Sequence, residues 1–238
     1  MSRPEDIPEH LPGGSGGVWR VGRTVRRPTG PWTPAVHDYL KWLSQAGIPH
    51  VGGIDEDGRE IVSYIEGRSV PVDDEIVLDN VLVEAVTWLR DFHDIADSYQ
   101  PDGPQVWRQS AGEPVELAAG EVICHNDPGA YNWIIQSGHF VAMIDWDLAG
   151  PGRPIDDLAF LCWTAIPLYR PIEPAEAARR IDLVVDAYAE FGPMALLDAI
   201  VERMTLATDR IAAGIERGDP GMVNLAARGE PARTRDRL

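Results

Sequence analysis

In the stretch CHNDPGAYNWII, residues 124–135, His125, Asn126 and Asp127 precede a Pro-Gly turn, and Asn132 follows Asp127 after four intervening residues. An apolar run, WIIQ, comes next, then Ser137-Gly138, then a second run ending in MIDWD, which holds Asp145. If the two runs pair as a hairpin, Asn132 enters it and Asp145 leaves it, so both oxygen-bearing side chains stand at one end. Hard oxygen ligands gathered there suit Mg²⁺, which takes one or two carboxylates plus substrate phosphate oxygens. Asp127, on the turn just before, is placed to accept a proton from an attacking hydroxyl. Taken alone, NDPG is a common turn signal and MIDWD a buried strand with an acidic end. Order, spacing and the hairpin between them make the combination informative.

The elements that must position these groups fall into two regions. LPGGSGGVWRVGRTVRRP sets glycines 13, 14, 16 and 17 before two β-favouring runs separated by Gly22-Arg23, the pattern of a hairpin with a glycine-rich lead-in. Thr33-Pro34 supplies an N-cap and first helical position, and Val36, Tyr39, Leu40 and Leu43 share a face before Gly47. Two further strand-like runs flank Asp57-Gly58. Residues 1–68 thus read as a small β-rich lobe. From Leu78 to Phe92 apolar residues recur at helical spacing, residues 94–120 read as an irregular segment, and helices are predicted near 155–166, 174–190 and 194–215. Residues 69–238 form the larger, helical region, with the last twenty residues expected to be frayed.

With 238 residues and 44% hydrophobic content the chain is long enough for one large domain or two lobes with real cores. A formal charge of −17 opposes binding to nucleic acid phosphates or anionic membrane surfaces, and favours cationic small molecules. Cys124 and Cys162 are the two cysteines, too few for a disulfide framework, so they are expected as buried thiols in a reducing, cytoplasmic setting. No apolar leader opens the chain and no stretch approaches a membrane span. Trp133, Trp146 and Trp163 read as core aromatics, and His93 as a structural histidine.

The loop, hairpin and terminal Asp match the H-R-D-x-x-x-x-N catalytic loop and metal-binding Asp of the kinase template, with Asn126 in place of Arg. The chain resembles the aminoglycoside phosphotransferase and choline kinase-like family: HNDPGAYN is similar to its H-G-D-x-x-x-x-N, MIDWD to its I-D-W/F-E/D, and PIDDLAF to the helix start that follows. Through VRRPTGPWTPAVH it resembles a short trifolitoxin-immunity-like subgroup. The resemblance implies an α+β, two-lobed protein-kinase-like fold with a β-rich N-lobe and a mainly helical C-lobe. It implies ATP (or GTP) and Mg²⁺ as cofactors, a small-molecule acceptor, Asp127 as catalytic base, Asn132 and Asp145 as metal ligands, Asp157 as the loop's anchor and His125 as its brace.

Where the family has a phosphate-gripping lysine, this chain has Arg26 or Arg27, and strand alternation sends only one of them inward. Arg26 is the favoured choice. The helix that should carry the partner glutamate reads AVHDYL, leaving His37 or Asp38 for that place. Gly14 and Gly16 are candidates for backbone contact with phosphates. Asp147 is assigned a supporting role or a turn cap, and Asp156 an exposed position. The leading expectation is a kinase acting on an alcohol, such as an aminoglycoside or related antibiotic. Two alternatives are a nucleotide-binding pseudokinase or immunity protein acting by sequestration, motivated by the missing Lys–Glu pair, and a metal-dependent phosphohydrolase, which would need more clustered histidines.

Overall fold

The computed structural model describes residues 7–11, 17–44, 48 and 50–238. The N-terminal region is an antiparallel sheet of β1 (Glu9–His10), β2 (Trp19–Val21), β3 (Thr24–Arg27), β4 (Val51–Ile54) and β5 (Glu60–Ser63), in the order β1-β2-β3-β5-β4. Gly22, with φ +60°, makes the β2–β3 turn, and Gly58, with φ +76°, the β4–β5 turn, conformations that cost glycine little. Helix α1 (Thr33–Ser44) interrupts the strands. Its Ala35, Val36, Tyr39, Leu40 and Leu43 are buried, as the apolar periodicity requires. Tyr39 donates to the Ile123 carbonyl at 2.9 Å, so this helix is fixed directly to the strand that leads into the 124–135 loop.

The chain leaves the sheet through Gly67 and Arg68. Arg68 N–H donates to Ile135 O at 3.0 Å and Ile135 N–H returns the bond at 2.9 Å. Gly67 has φ +145°, and an added Cβ would lie 2.7 Å from Ile135 O, so both its conformation and its neighbour exclude a side chain. The connection between the lobes is therefore pinned to the hairpin that carries the candidate site.

The second region opens with α2 (Asp79–Ala96), which buries Val81, Leu82, Ala85, Val86, Leu89 and Phe92; each large apolar side chain contributes roughly 1.5–3 kcal/mol relative to exposure. Leu78, predicted on that face, instead precedes the helix and is exposed. The segment expected to be irregular contains a small hairpin, β6 (Gln105–Val106) with β7 (Pro114–Val115). Strand β8 (Val122–Cys124) pairs with β11 (Gly150–Gly152), and between them run β9 (Trp133–Gln136) and β10 (His139–Met143), paired as the sequence predicts with Met143 opposite Trp133. Helices α3 (Pro154–Ala165), α4 (Pro174–Tyr188) and α5 (Pro193–Glu216) each begin with proline at the first turn, where its missing N–H costs nothing.

The C-terminus departs from the expectation of fraying. Asp219 caps α6 (Pro220–Ala227), accepting from Gly221 and Met222 N–H, and α7 (Ala232–Arg235) follows. Both contact α5. The cap and these contacts supply what a weakly apolar segment lacks on its own. Cys124 and Cys162 are free and buried. Among the described residues no helix is long and apolar enough to cross a membrane.

Candidate active site

The loop after β8 is held from below by one carboxylate. Asp157, buried in the first turn of α3, accepts His125 N–H and Asn126 N–H at 2.8 Å each, one on each oxygen. A helix N-terminus is a favourable place for that charge. His93 Nε2 lies 3.2 Å from the same carboxylate and its Nδ1 meets the Tyr188 hydroxyl at 2.8 Å, so the buried Asp157–His93–Tyr188 chain is a hydrogen-bonded foundation. Asn126 takes φ +62°, a left-handed conformation that asparagine tolerates. Its side chain donates to Gly150 O at 3.0 Å, and its carbonyl accepts from Arg203 of α5 at 2.9 Å.

His125 braces the loop. Its Nδ1 accepts Asp127 N–H at 3.3 Å and its Nε2 donates to Ile144 O at 3.1 Å. Those partners assign a neutral imidazole, in keeping with burial that holds its pKa below the ordinary value. Trp146 packs against His125 with ring centroids 4.5 Å apart and against Phe92 at 5.2 Å, and thereby fixes the residue before it, Asp145, which adopts φ +66°.

The three predicted oxygen-bearing side chains come together at one end of the β9–β10 hairpin. Ile144 N–H donates to Asn132 O at 2.8 Å, extending the ladder so that Asn132 and Asp145 flank it. Asn132 Nδ2 donates to Asp127 Oδ2 at 3.0 Å and to the Asp127 carbonyl at 3.0 Å. Asn132 Oδ1 and Asp145 Oδ2 accept no hydrogen bond among the described residues. An amide oxygen and a carboxylate oxygen left open at the same end of the hairpin are all-oxygen donors of the kind that fits Mg²⁺. Asp127 is half-buried, and burial pushes its carboxyl up to about 7; the Asp145 charge adds to the rise, while hydrogen bonds from Tyr131 and Asn132 oppose it.

Arg27, and not the favoured Arg26, faces this group. Its guanidinium donates to Glu60 Oε1 at 2.6 Å, Asp145 Oδ1 at 2.8 Å and Asp147 Oδ1 at 2.8 Å. Burial alone would lower its pKa, but Asp147, Asp145 and Glu60 raise it, so the charge is permanent. Arg26 goes to the other face of the sheet, toward Thr24 Oγ1 at 2.6 Å and Asp55 Oδ2 at 3.2 Å. The parity follows from register: Arg27 sits opposite Glu60 and Arg26 opposite Ile61.

Glu60 fills the place the sequence leaves to His37 or Asp38. It is buried, and His37 Nε2 meets its second oxygen at 3.0 Å. Burial would raise the Glu60 pKa, but the His37 bond and the Arg27 charge bring it below the ordinary value. Asp147 bridges Arg27 and Arg108, the latter at 3.1 Å. Asp156 is tied to Arg153 at 2.7 Å. Gly14 and Gly16 lie outside the described residues. Glu60, Tyr131 and Arg203 were not singled out by the sequence. Glu60 becomes visible only once β3 is known to neighbour β5, a pairing of strands not adjacent in the chain.

Residues 105–195 match the model of a phosphotransferase enzyme family, a span containing the loop, the hairpin and the start of α3. The chain is 37% identical over 166 residues to a trifolitoxin immunity protein of Rhizobium leguminosarum bv. trifolii, an overlap of 66% of this chain and 61% of that one. It thus spans about three fifths of the length of that curated relative. Among solved structures, the gentamicin–APH(2")-IIa complex is similar with a TM-score of 0.62 and 16% identity, over 94% of this chain and 90% of that one. The aminoglycoside phosphotransferase APH(3'')-Id of Streptomyces rimosus, in complex with ADP and streptomycin, gives 0.60 and 18%, over 84% and 92%. Amicoumacin kinase hAmiN, in complex with AMP-PNP and Ca²⁺, gives 0.61 and 14%, over 88% and 81%. These likenesses show a two-lobed α+β, protein-kinase-like fold.

Proposed function

We propose that this chain, which carries a phosphotransferase enzyme family domain over residues 105–195, is a small-molecule kinase transferring the γ-phosphate of ATP or GTP to a hydroxyl of an aminated acceptor. The observation that carries the proposal is the convergence of Asp127, Asn132 and Asp145 at one hairpin end, facing Arg27. Asp127 accepts the acceptor's proton as its oxygen attacks; a carboxyl with a pKa of about 7 is matched to that role near neutral pH. Asn132 Oδ1 and Asp145 Oδ2 would hold Mg²⁺, which would supply charge neutralisation for the nucleotide phosphates. Arg27 would pair with phosphate oxygens, and Glu60 keeps its guanidinium aimed. Asp157, His125 and Arg203 keep the loop rigid. Such positioning supplies most of the acceleration in phosphoryl transfer, since the protein performs little covalent chemistry.

An aminated acceptor agrees with the formal charge of −17 and with the streptomycin and gentamicin present in the similar structures. A nucleotide-binding immunity protein that acts by sequestration is the second possibility, favoured by the name of the 37% identical relative. One experiment separates them: Mg²⁺–ATP consumption across a panel of aminated and neutral alcohols and antibiotics, with wild type beside Asp127→Asn, and thermal shift with nucleotide in parallel. The kinase predicts transfer to at least one acceptor that Asp127→Asn lacks. Nucleotide-dependent stabilisation in both proteins with transfer in neither supports sequestration.

A further inference from the structure

Resting on the kinase reading, we propose that Tyr131 holds the acceptor's place: its hydroxyl sits on the catalytic carboxylate where an acceptor hydroxyl must bind, and the acceptor enters by displacing it. Both oxygens of Asp127 already have donors, Tyr131 Oη on Oδ1 and Asn132 Nδ2 on Oδ2. The Asn132 bond is built into the hairpin, because the Asn132 backbone accepts from Ile144 and its own N–H donates to Gly129 O at 2.8 Å. Tyr131 is the donor that can leave. It is 37% exposed, whereas Ala130 and Asn132 on either side are buried. Ala130 N–H is held by Thr164 Oγ1 at 3.0 Å, so the Tyr131 ring can swing on a fixed backbone without moving Asn132.

Two further features fit a resident placeholder. The departing donor is an O–H group, the same chemical group the acceptor brings, so the exchange leaves the carboxylate satisfied at the start and the end. Gly129 makes room for the resting position: a Cβ there would lie 2.6 Å from Cε1 and Cζ of the Tyr131 ring. The Gly129 backbone has φ −62° and ψ 148°, allowed for any residue, so the absence of a side chain serves the ring rather than the turn. While Tyr131 is in place, water is kept from Asp127, and a bound nucleotide is protected from hydrolysis until an acceptor arrives.

The test is acceptor-free hydrolysis of Mg²⁺–ATP, compared between wild type and variants under identical conditions. Tyr131→Phe is expected to raise hydrolysis about tenfold, as removal of one competing hydrogen bond allows. Gly129→Ala, which keeps the tyrosine but crowds its ring, is expected to raise it as well. Asp127→Asn placed in the Tyr131→Phe background returns the rate to the baseline. Hydrolysis that depends on Asp127 yet is unchanged or reduced in Tyr131→Phe overturns the placeholder while leaving the kinase standing. Phosphate found on Tyr131 by mass spectrometry also overturns it, making the tyrosine an acceptor. Absence of Asp127-dependent hydrolysis in every protein, Tyr131→Phe included, overturns the placeholder, while the kinase reading stands or falls on transfer to the acceptor panel above.

Discussion

Arg27 and Glu60 are direct partners across β3 and β5, and their side chains meet at 2.6 Å beneath helix α1. In this chain the buried charge pair that steadies the cation beside Asp145 is therefore made within the sheet, with His37 supporting the carboxylate from the helix at 3.0 Å. Glu60→Gln would keep the shape and remove the charge. It is expected to destabilise the fold by about 2–4 kcal/mol, because it leaves a buried guanidinium and an imidazole poorly compensated. Urea denaturation measures this, and nucleotide KM should rise more than kcat falls.

Arg27→Lys tests whether the fork matters. A lysine ammonium cannot meet Glu60, Asp145 and Asp147 with the fixed geometry the guanidinium has. We expect the variant to fold, with kcat/KM for nucleotide lowered by roughly tenfold or more. Arg26→Lys, on the opposite face of the sheet with Asp55, is expected to leave kcat/KM within twofold of wild type.

The pH dependence follows from Asp127. A general base with a pKa of about 7 gives a kcat/KM that rises with pH through that value and levels above it. Stability moves the other way. The folded pKa lies above the unfolded value near 4, so folding favours the protonated form, and stability falls as pH rises between the two values before levelling off. Asp127→Asn removes that dependence. Its Tm relative to wild type should increase between pH 5 and pH 8, measurable by scanning calorimetry without any acceptor.

Asp157→Ala removes the acceptor of two buried backbone N–H groups and the partner of His93. The expected cost is about 3–5 kcal/mol, the penalty of several orphaned buried donors. Hydrogen exchange at His125 and Asn126 amides should accelerate more than exchange in α4, which Asp157 does not touch.

Much of this site is written locally in the chain. Asp127, Asn132 and Asp145 are grouped by one loop and one hairpin, and a hairpin with a Ser-Gly turn is a short-range object whose register its own turn determines. The helices at 154–165, 174–188 and 193–216 lie close to their predicted bounds because proline and apolar spacing mark them. What escaped depends on distant partners. The choice between Arg27 and Arg26 is set by which face of β3 meets Glu60, and that register comes from a strand more than thirty residues away. Tyr131 gave no signal, since its role comes from a bond to a residue four positions back that only the 3-10 turn Ala130–Asn132 brings within reach. The C-terminal helices escaped because their stability comes from packing on α5 rather than from propensity.

Binding of a non-hydrolysable nucleotide, AMP-PNP, with and without Mg²⁺, by isothermal titration calorimetry on wild type and Asp145→Ala, tests the central claim most directly. Wild type should bind at least tenfold more tightly with Mg²⁺ than without, and Asp145→Ala should lose that difference while remaining folded. Equal affinity in wild type with and without the cation, or an Mg²⁺ dependence that survives in Asp145→Ala, would contradict a metal–nucleotide site built on Asn132 and Asp145.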